Sequence, residues 1–223
     1  MYDLHNFILT RKEEHAQYFQ QFGIRGISVI FENNFDVRKF HELKERYQNL
    51  DLISVVEVVA ERKGEVKKAI DKFRNQVDLI IVNARDTRAM RAAAEFSPID
   101  FIAHAFVDQT AARDCAVNNV ALEFDVADFL GVYGMKRATL ISKLQFNLDL
   151  ARKYKIPIIL ASGAQNVYGL RNATQIIAFA ETLGFKHDEA KAAVLRNPFE
   201  LVKRNRERRK GIEIAEGVKI VRE

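Results

Sequence analysis

Short apolar runs alternate with amphipathic segments along the whole chain, and this alternation constrains the fold more than any other feature of the sequence. Most of the runs are nearly continuous and rich in branched residues, which is typical of parallel strands covered on both faces. Strand and helix in strict succession predict right-handed crossovers and a parallel sheet. Seven such strands are predicted, near residues 2–7, 26–31, 52–59, 78–82, 99–103, 120–124 and 156–160.

About seven βα units in this order predict an α/β fold of the (β/α) TIM-like barrel type, which we favour over an open doubly wound sheet. The 223 residues suit such a barrel, which commonly needs about 200 to 250. The chain has only 10 Gly and 3 Pro, and no linker rich in either residue divides it. We therefore expect residues 1–223 to form a single TIM-like barrel domain.

The last part of the chain departs from this alternation. One helix is predicted over 174–183, ended by Gly184, and a second over 188–195. Asn197 before Pro198 has the pattern of an N-cap followed by proline at the first position of a third helix. The segments 212–214 and 218–221 predict a terminal strand pair. We expect a C-terminal helical and basic extension at about 186–223.

The positive charge of the chain is concentrated in that third helix. The segment 203–210 holds six cations and one anion, a surplus equal to the net charge of +5 of the whole chain. Such a run attracts polyanions, nucleic acids included. It also suits a solvated helix end, where cations complement the helix dipole. Both interpretations remain open at this point.

The predicted strand ends carry polar residues, but no complete metal-binding motif. Barrel metallohydrolases often begin with an Asp-x-His-x-His pattern, and here Asp3 and His5 are followed by Phe7, which cannot bind a metal. His5 and His104 remain the only pair expected to face inward. We expect hydrogen-bonded histidines rather than a metal site, no catalytic residue, and a polar or salt-bridging role for Glu123 and Asp125.

Two further motifs suit phosphate groups. Ser162-Gly163 follows a predicted strand and forms either a phosphate-binding turn or a tight turn alone. Arg85, Arg88 and Arg91 recur every three residues at a helix start, where cations oppose the helix dipole. Cations at a helix start lower the stability of the helix. We therefore predict that these arginines contact RNA.

The sequence of the last third resembles the archaeal ribonuclease P protein component 3 family, whose eukaryotic relatives serve nuclear ribonuclease P. The resemblance rests on the segments 157–164, 169–172, 183–185 and 190–195, and on Asn197-Pro198 leading to 204–206. The segments 3–5 and 77–80 agree with it, so that it spans essentially the whole chain.

This resemblance implies a barrel related to the polymerase-and-histidinol-phosphatase (PHP) superfamily that has lost its metal centre. In the family the RNA is catalytic and uses Mg²⁺ to remove the 5′ leader from precursor tRNA, while the protein binds no cofactor. The implied partners are ribonuclease P RNA, precursor tRNA, the ferredoxin-like component 2 and the other ribonuclease P proteins. The alternative is a metal-dependent phosphoesterase of the PHP-like superfamily.

The motifs that match the family supply candidate RNA- or partner-binding residues. These are Ser162, Gly163, Arg171 and the basic helix end with Lys203, Arg204, Arg206, Arg208 and Arg209, joined by Arg85, Arg88, His104, Arg113 and Lys143. The start of the chain lacks the pattern of a signal peptide, Cys115 is the only cysteine, and no apolar run suits a membrane span. We therefore expect a cytoplasmic protein without a membrane partner.

Overall fold

The fold is taken from a computed structural model, which describes residues 1–11, 18–84, 87–95, 99–104, 106–211, 213–215 and 218–219. Seven parallel strands follow one another in the order β1 to β7, each paired with the next along the chain. They are β1 (Tyr2–Asp3), β2 (Gly26–Glu32), β3 (Asp51–Ala60), β4 (Leu79–Ala84), β5 (Phe101–Ala103), β6 (Ala121–Asp125) and β7 (Ile158–Ala161).

Helices follow the strands and cover the outside of the sheet. They are α1 (Ile8–Arg11), α2 (Val37–Arg46), α3 (Lys63–Phe73), α4 (Thr87–Glu95), α5 (Gln109–Asn118), α6 (Val126–Leu130), α7 (Gly134–Tyr154), α8 (Ala173–Thr182), α9 (His187–Lys191) and α10 (Asn197–Arg209). The predicted parallel (β/α) barrel is thereby confirmed, with about seven βα units and additional C-terminal helices. No helix within the described ranges is long and apolar enough to cross a membrane.

Two apolar layers, one on each face of the sheet, explain why the strand sequences are continuous apolar runs. Alternate residues of one strand face the barrel interior or the outer helices, and both environments exclude water. Val55 and Leu79 belong to the interior cluster, whereas Val56 and Ile80 belong to the cluster beneath the helices. Leu201 of α10 joins the interior cluster, so this helix covers the end of the barrel where the strands begin.

A polar seam joins the first strand to the last. Among the described strands, β1 and β7 stand at opposite ends of the pairing order. The Ser162 amide donates to Oδ1 of Asp3 over 3.0 Å, and the Ser162 hydroxyl donates to Oδ2 of Asp3 over 2.6 Å. Beyond this pair, the Gly163 amide donates to the carbonyl of His5, and the Phe7 amide donates to the carbonyl of Ala164. The barrel is thus closed here by a buried carboxylate.

The predicted cap at Asn197 is wrong. Asn197 has helical backbone angles, φ −60° and ψ −44°, and lies inside a helical run that continues from α9 through a π-helical turn, Ala192–Arg196, into α10. Pro198 has no amide hydrogen and crowds the carbonyl four residues before it, and a π turn accommodates such a local defect. The Asn197 side chain donates to the carbonyl of Ile158 over 2.8 Å, which ties the run to β7.

Two further C-terminal predictions agree with the structure. Helix α8 ends where Gly184 adopts φ +102°, as the glycine predicts. Strands β8 (Glu213–Ala215) and β9 (Val218–Lys219) form an antiparallel pair separate from the barrel sheet. The terminal strand pair is confirmed.

Candidate functional site at the two ends of the barrel

A buried network of charged side chains lies at the barrel end where the strands finish. His5, Glu123 and Asp125 have side chains that are 0–3% exposed. Nδ1 of His5 lies 2.7 Å from Oδ2 of Asp125 and 3.3 Å from Oε1 of Glu123. Two carboxylates therefore share one imidazole nitrogen, and we call His5, Glu57, His104, Glu123 and Asp125 the upper cluster.

Electrostatic interactions among His5, Glu123 and Asp125 shift the pKa of each of them. Burial lowers the pKa of His5, but the charges of Asp125 and Glu123 outweigh it and raise the pKa well above its ordinary value. Burial opposes ionisation of Glu123, yet the His5 charge lowers its pKa to about 2. Burial and the neighbouring Glu123 charge raise the pKa of Asp125. His5 and Glu123 thus form a charged pair beside an Asp125 that holds its proton more strongly.

His104 extends the cluster towards solvent. Its ring centroid lies 5.2 Å from that of His5, and its backbone amide donates to Oε2 of Glu123 over 3.1 Å. Nδ1 of His104 lies 2.6 Å from Oδ2 of Asp128. Burial opposes the charged form, but the hydrogen bond with Asp128 and the nearby carboxylates raise the pKa of His104 to about 9. The expected inward-facing pair, His5 and His104, is therefore brought together.

Glu57 is the member of the cluster that the sequence interpretation missed. It lies in the middle of β3 and is 3% exposed, with Oε1 accepting from Nδ2 of Asn83 over 2.8 Å. Oε1 also lies 3.9 Å from Nε2 of His5. The sequence did contain a signal for Glu57, which is a glutamate inside a run of valines. An unpaired charge is rarely buried in an apolar strand, so a glutamate at this position indicates a polar partner inside the barrel.

Within the upper cluster, His5, Glu123 and Asp125 are shielded from large ligands, whereas the His104 side chain is 31% exposed. The Phe7 ring lies over His5, with a centroid separation of 5.0 Å, and His5 is 0% exposed. A phosphoester cannot contact a fully buried imidazole. The same cluster nevertheless presents donor atoms of His5, His104 and Asp125 within 4.8 Å of one another, a spacing on which a cation could be held. The expectation that the protein binds no metal stays a prediction.

Ser162 and Gly163 belong to the polar seam. Gly163 adopts φ +64°, and a Cβ added to it would lie 2.8 Å from Cγ of Asp125, so only glycine fits this approach. The amides of Ser162, Gly163 and Ala164 all donate to protein oxygens. These contacts account for the turn without a bound phosphate, and the suggested RNA contact of the two residues stays a prediction.

Three further candidate cations lie on adjacent outer helices. Arg88 of α4, Arg113 of α5 and Lys143 of α7 are exposed, and α5 packs against both α4 and α7. The Arg113 guanidinium lies 5.8 Å from the Tyr154 ring centroid, and the Lys143 ammonium lies 5.4 Å from that of Phe106. Aromatic rings thus hold two of the charges at the surface. We call Arg88, Arg113 and Lys143 the lateral cations.

The other candidate arginines outside α10 differ in their surroundings. Arg91 pairs with Asp108 over 2.6 Å. Arg171 is half-buried and donates to the carbonyls of Tyr168 and Leu170, which fixes the turn before α8. Arg85 lies outside the described residues, and its predicted contact stays a prediction.

The basic helix lies at the opposite end of the barrel. Arg206 pairs with Asp51 over 2.9 Å and with Asp78 over 3.3 Å, and Arg209 pairs with Asp78 over 2.8 Å. Asp51 begins β3 and Asp78 immediately precedes β4. Part of the positive charge excess therefore neutralises aspartates at the start of the strands. Neither polyanion binding nor a solvated helix end, the two interpretations of the sequence, included these ion pairs.

The other candidate cations of α10 differ from Arg206 and Arg209 in their exposure. Lys203 and Arg208 are exposed, whereas Arg204 is half-buried. Asn205 is 1% exposed and donates to a side-chain oxygen of Asp100 and to the carbonyl of Asp78. Those predicted site residues that the structure describes thus lie at two opposite ends and along one side of the barrel.

Comparisons with known proteins agree with this fold. The family model described as RNase P subunit p30 matches residues 2–210. Ribonuclease P protein component 3 of Methanosarcina mazei is 33% identical over 180 residues, which cover 76% of this chain and 75% of that protein. The protein of the same name from Methanosarcina acetivorans is 31% identical over 221 residues, covering 92% and 90%.

Two solved structures share the fold. A chain in a cryo-EM structure of archaeal ribonuclease P with mature tRNA superposes with a TM-score of 0.86 at 23% identity, covering 100% of this chain and 99% of that one. Histidinol phosphate phosphatase from Lactococcus lactis, complexed with zinc, L-histidinol and phosphate, gives a TM-score of 0.57 at 13% identity, covering 82% and 94%. Because the family model matches nearly the whole length of the barrel, the chain belongs to the RNase P subunit p30 family.

Proposed function

We propose that this chain is a protein subunit of ribonuclease P, the ribonucleoprotein that removes the 5′ leader from precursor tRNA. The observation that carries the proposal is membership of the p30 family over residues 2–210. In this function the RNA performs the cleavage with Mg²⁺, and the protein contributes binding energy and no catalytic group. Its partners are the ribonuclease P RNA, precursor tRNA, component 2 and the other ribonuclease P proteins, and its location is the cytoplasm.

The burial of three members of the upper cluster supports this function over a phosphoesterase. A phosphoesterase needs its acid, base or metal ligands in contact with substrate. His5, Glu123 and Asp125 are too buried for that contact, and Phe7 lies over His5. The chemistry of the cluster is therefore that of a stabilising ion network within the barrel.

The lateral cations are the RNA surface in this proposal. They lie on neighbouring helices, their charged groups are exposed, and two rest on aromatic rings. Arg206 and Arg209 are already paired with aspartates, so they contribute less to an external field. The remaining exposed cations of α10, Lys203 and Arg208, form a second surface at the other end and serve as the comparison.

The test is reconstitution with ribonuclease P RNA and the partner proteins. The chain alone is expected to leave precursor tRNA intact, and its addition to the RNA and partners is expected to accelerate cleavage. Cleavage by the isolated chain, abolished by His5→Ala, would support the phosphoesterase instead. Unchanged cleavage when the chain is omitted or added would contradict the subunit role.

The RNA surface is tested by salt dependence. Arg88→Ala, Arg113→Ala and Lys143→Ala together are expected to weaken RNA binding and to flatten the plot of log affinity against log salt by about one unit per lost contact. The matched control removes three exposed cations elsewhere, Arg38 of α2 and Lys67 and Lys68 of α3. Equal effects of the two triple variants, or a larger effect of Lys203→Ala with Arg208→Ala, would contradict the lateral surface.

A further inference from the structure

A cavity lies beside α10 at the end of the barrel where the strands begin. Ala121, the first residue of β6, and Ile159 of β7 form one wall, and residues of α10 form another. The volume is about 290 Å³, just below the lower limit of about 300 Å³ that is typical of small-molecule sites. A space of this size admits one planar ring system and excludes a helix or a strand of a partner.

A buried hydrogen-bond donor without an acceptor lines this cavity. Nε of Arg204 is buried and has no hydrogen-bond partner, although the side chain as a whole is half-buried. Arg206 and Arg209 of the same helix differ, because each pairs with an aspartate. An unpaired buried N–H group is destabilising, so a donor of this kind in a cavity wall indicates an acceptor that comes from outside the chain.

Two exposed groups of opposite charge stand at the rim of the cavity. Lys203 and Glu200 both line it, and neither forms an ion pair within the part of the chain that the structure describes. A matching ligand therefore offers an acceptor to Arg204 and hydrogen-bond donors to Glu200. A bare phosphate ion fits poorly, since its oxygens would lie beside a carboxylate.

The rest of the lining is largely apolar. Ala121, Ile159 and Leu201 are buried in the barrel core and reach the cavity, and Pro157 joins them. Nucleobases have apolar faces that pack on such surfaces, and polar edges that carry hydrogen-bond donors and acceptors. A base bound here must leave its stack, so its nucleotide is unpaired.

Guanine is the base whose edges match both charged groups. Its O6 and N7 are acceptors, and arginine is their commonest partner in nucleic-acid complexes. Its N1–H and N2 amino groups are donors on the neighbouring edge, and a carboxylate such as that of Glu200 accepts from both. Adenine carries an amino group in place of O6, which places a donor against the arginine.

We propose that this cavity binds an unpaired guanosine of an RNA. Arg204 donates to O6 or N7, Glu200 accepts from N1 and N2, and Lys203 supplies a charge for the attached phosphate. The inference rests on the proposed function, because it takes the ligand from the ribonuclease P RNA or from precursor tRNA, which share this chemistry. The lateral cations attract the RNA backbone, whereas this contact selects a base.

The first test titrates the purified full-length chain with the four nucleoside 5′-monophosphates in a calorimeter. We expect GMP to bind at one site and at least about tenfold more tightly than AMP, CMP or UMP. Arg204→Lys keeps the charge but removes the Nε donor, and Glu200→Gln replaces the carboxylate with an amide of similar size. Each is expected to weaken GMP binding by about tenfold.

The matched controls are Arg38→Lys and Glu45→Gln, which make the same exchanges at exposed positions of α2. Both are expected to bind GMP as the wild type does. Circular dichroism of each variant separates a lost contact from lost folding.

The second test distinguishes the two sources of the guanosine. The affinity of the chain is measured for the ribonuclease P RNA and for precursor tRNA separately, with the wild type and with Arg204→Lys. We expect about tenfold weaker binding of the RNA that supplies the guanosine. The slope of log affinity against log salt should stay unchanged, because the variant keeps its charge. Unchanged affinity for both RNAs would overturn the proposal.

Three results of the titration would also overturn it. They are no binding of GMP by the wild type, equal affinity for AMP and GMP, and undiminished GMP binding by Arg204→Lys. Reconstituted cleavage keeps these results apart from the proposed function. Cleavage that depends on a chain unable to bind GMP rejects this site alone, whereas GMP binding by a chain that does not affect cleavage rejects the subunit role alone.

Discussion

At the scale of single residues, Asp78 shows that part of the basic run of α10 stabilises the fold. Its side chain is 8% exposed and accepts from the amide and hydroxyl of Ser54 as well as pairing with Arg206 and Arg209. Burial of a carboxylate is tolerated only when its hydrogen-bonding capacity is filled. One aspartate thus couples the beginning of β4 to the end of α10.

Asp78→Asn is therefore expected to destabilise the protein by about 2–4 kcal/mol, because both arginines lose their shared partner inside a partly buried site. Urea unfolding monitored by circular dichroism measures this. Asp71→Asn, which changes an exposed aspartate of α3, should remain within about 0.5 kcal/mol of wild type. Equal stability of the two variants would show that the pairs of Asp78 with α10 contribute nothing.

At the scale of elements, α7 consists of two unlike halves. In this fully described helix, residues 134–143 include no buried side chain, whereas Leu144, Asn147, Leu148, Leu150 and Ala151 are buried. Apolar side chains remain exposed at the start, Met135 by 82% and Tyr133, the residue before the helix, by 76%. Helices in proteins are stabilised mainly by packing of an apolar face. In the first half only the half-buried Leu140 and Ile141 pack against the core, so this half has less support from the barrel than the second.

Amide hydrogen exchange should reveal this difference. Amides of residues 138–143 are expected to exchange at least about tenfold faster than those of residues 147–154, because local opening there breaks few buried contacts. Mass spectrometry of the isolated protein gives the rates, with the second half of the same helix as internal reference. Equal protection of both halves would contradict this expectation.

The elements also show which structural features local sequence patterns can predict. All seven barrel strands were predicted, because a strand covered on both faces has a distinct composition. The boundary at Asn197 was not, because an Asn-Pro pair is equally compatible with a cap and with a π turn. The carbonyl of Ile158, which binds the Asn197 side chain, is 39 residues away, and local patterns contain no such information.

At the scale of the whole molecule, side chains complete the barrel in two places. The polar seam of Asp3 and Ser162 connects β1 to β7, and α10 covers the opening where the strands begin with Leu201 and its aspartate pairs. Both devices join parts of the chain that lie more than a hundred residues apart. Closure is accordingly a property of the complete fold.

Ser162→Ala tests the seam. The variant loses the hydroxyl that donates to Asp3 and accepts from the Ala164 amide, and a loss of about 2–3 kcal/mol is expected from the unsatisfied buried groups. Thr139→Ala removes an exposed hydroxyl that donates to a helix carbonyl and should change stability by less than about 0.5 kcal/mol. Matching denaturation curves for the two variants would exclude a stabilising seam.

The sequence by itself determined the parallel barrel, the covered strands and the terminal strand pair, because hydrophobic periodicity and chain order are local properties. Only the tertiary structure decided which charges face solvent. It placed Arg206 and Arg209 against aspartates, buried Glu57 beside His5, and separated the lateral cations from α10. The physical reason is that a charge is neutralised by its neighbours in space, and the closing of the barrel brings those neighbours from distant parts of the chain.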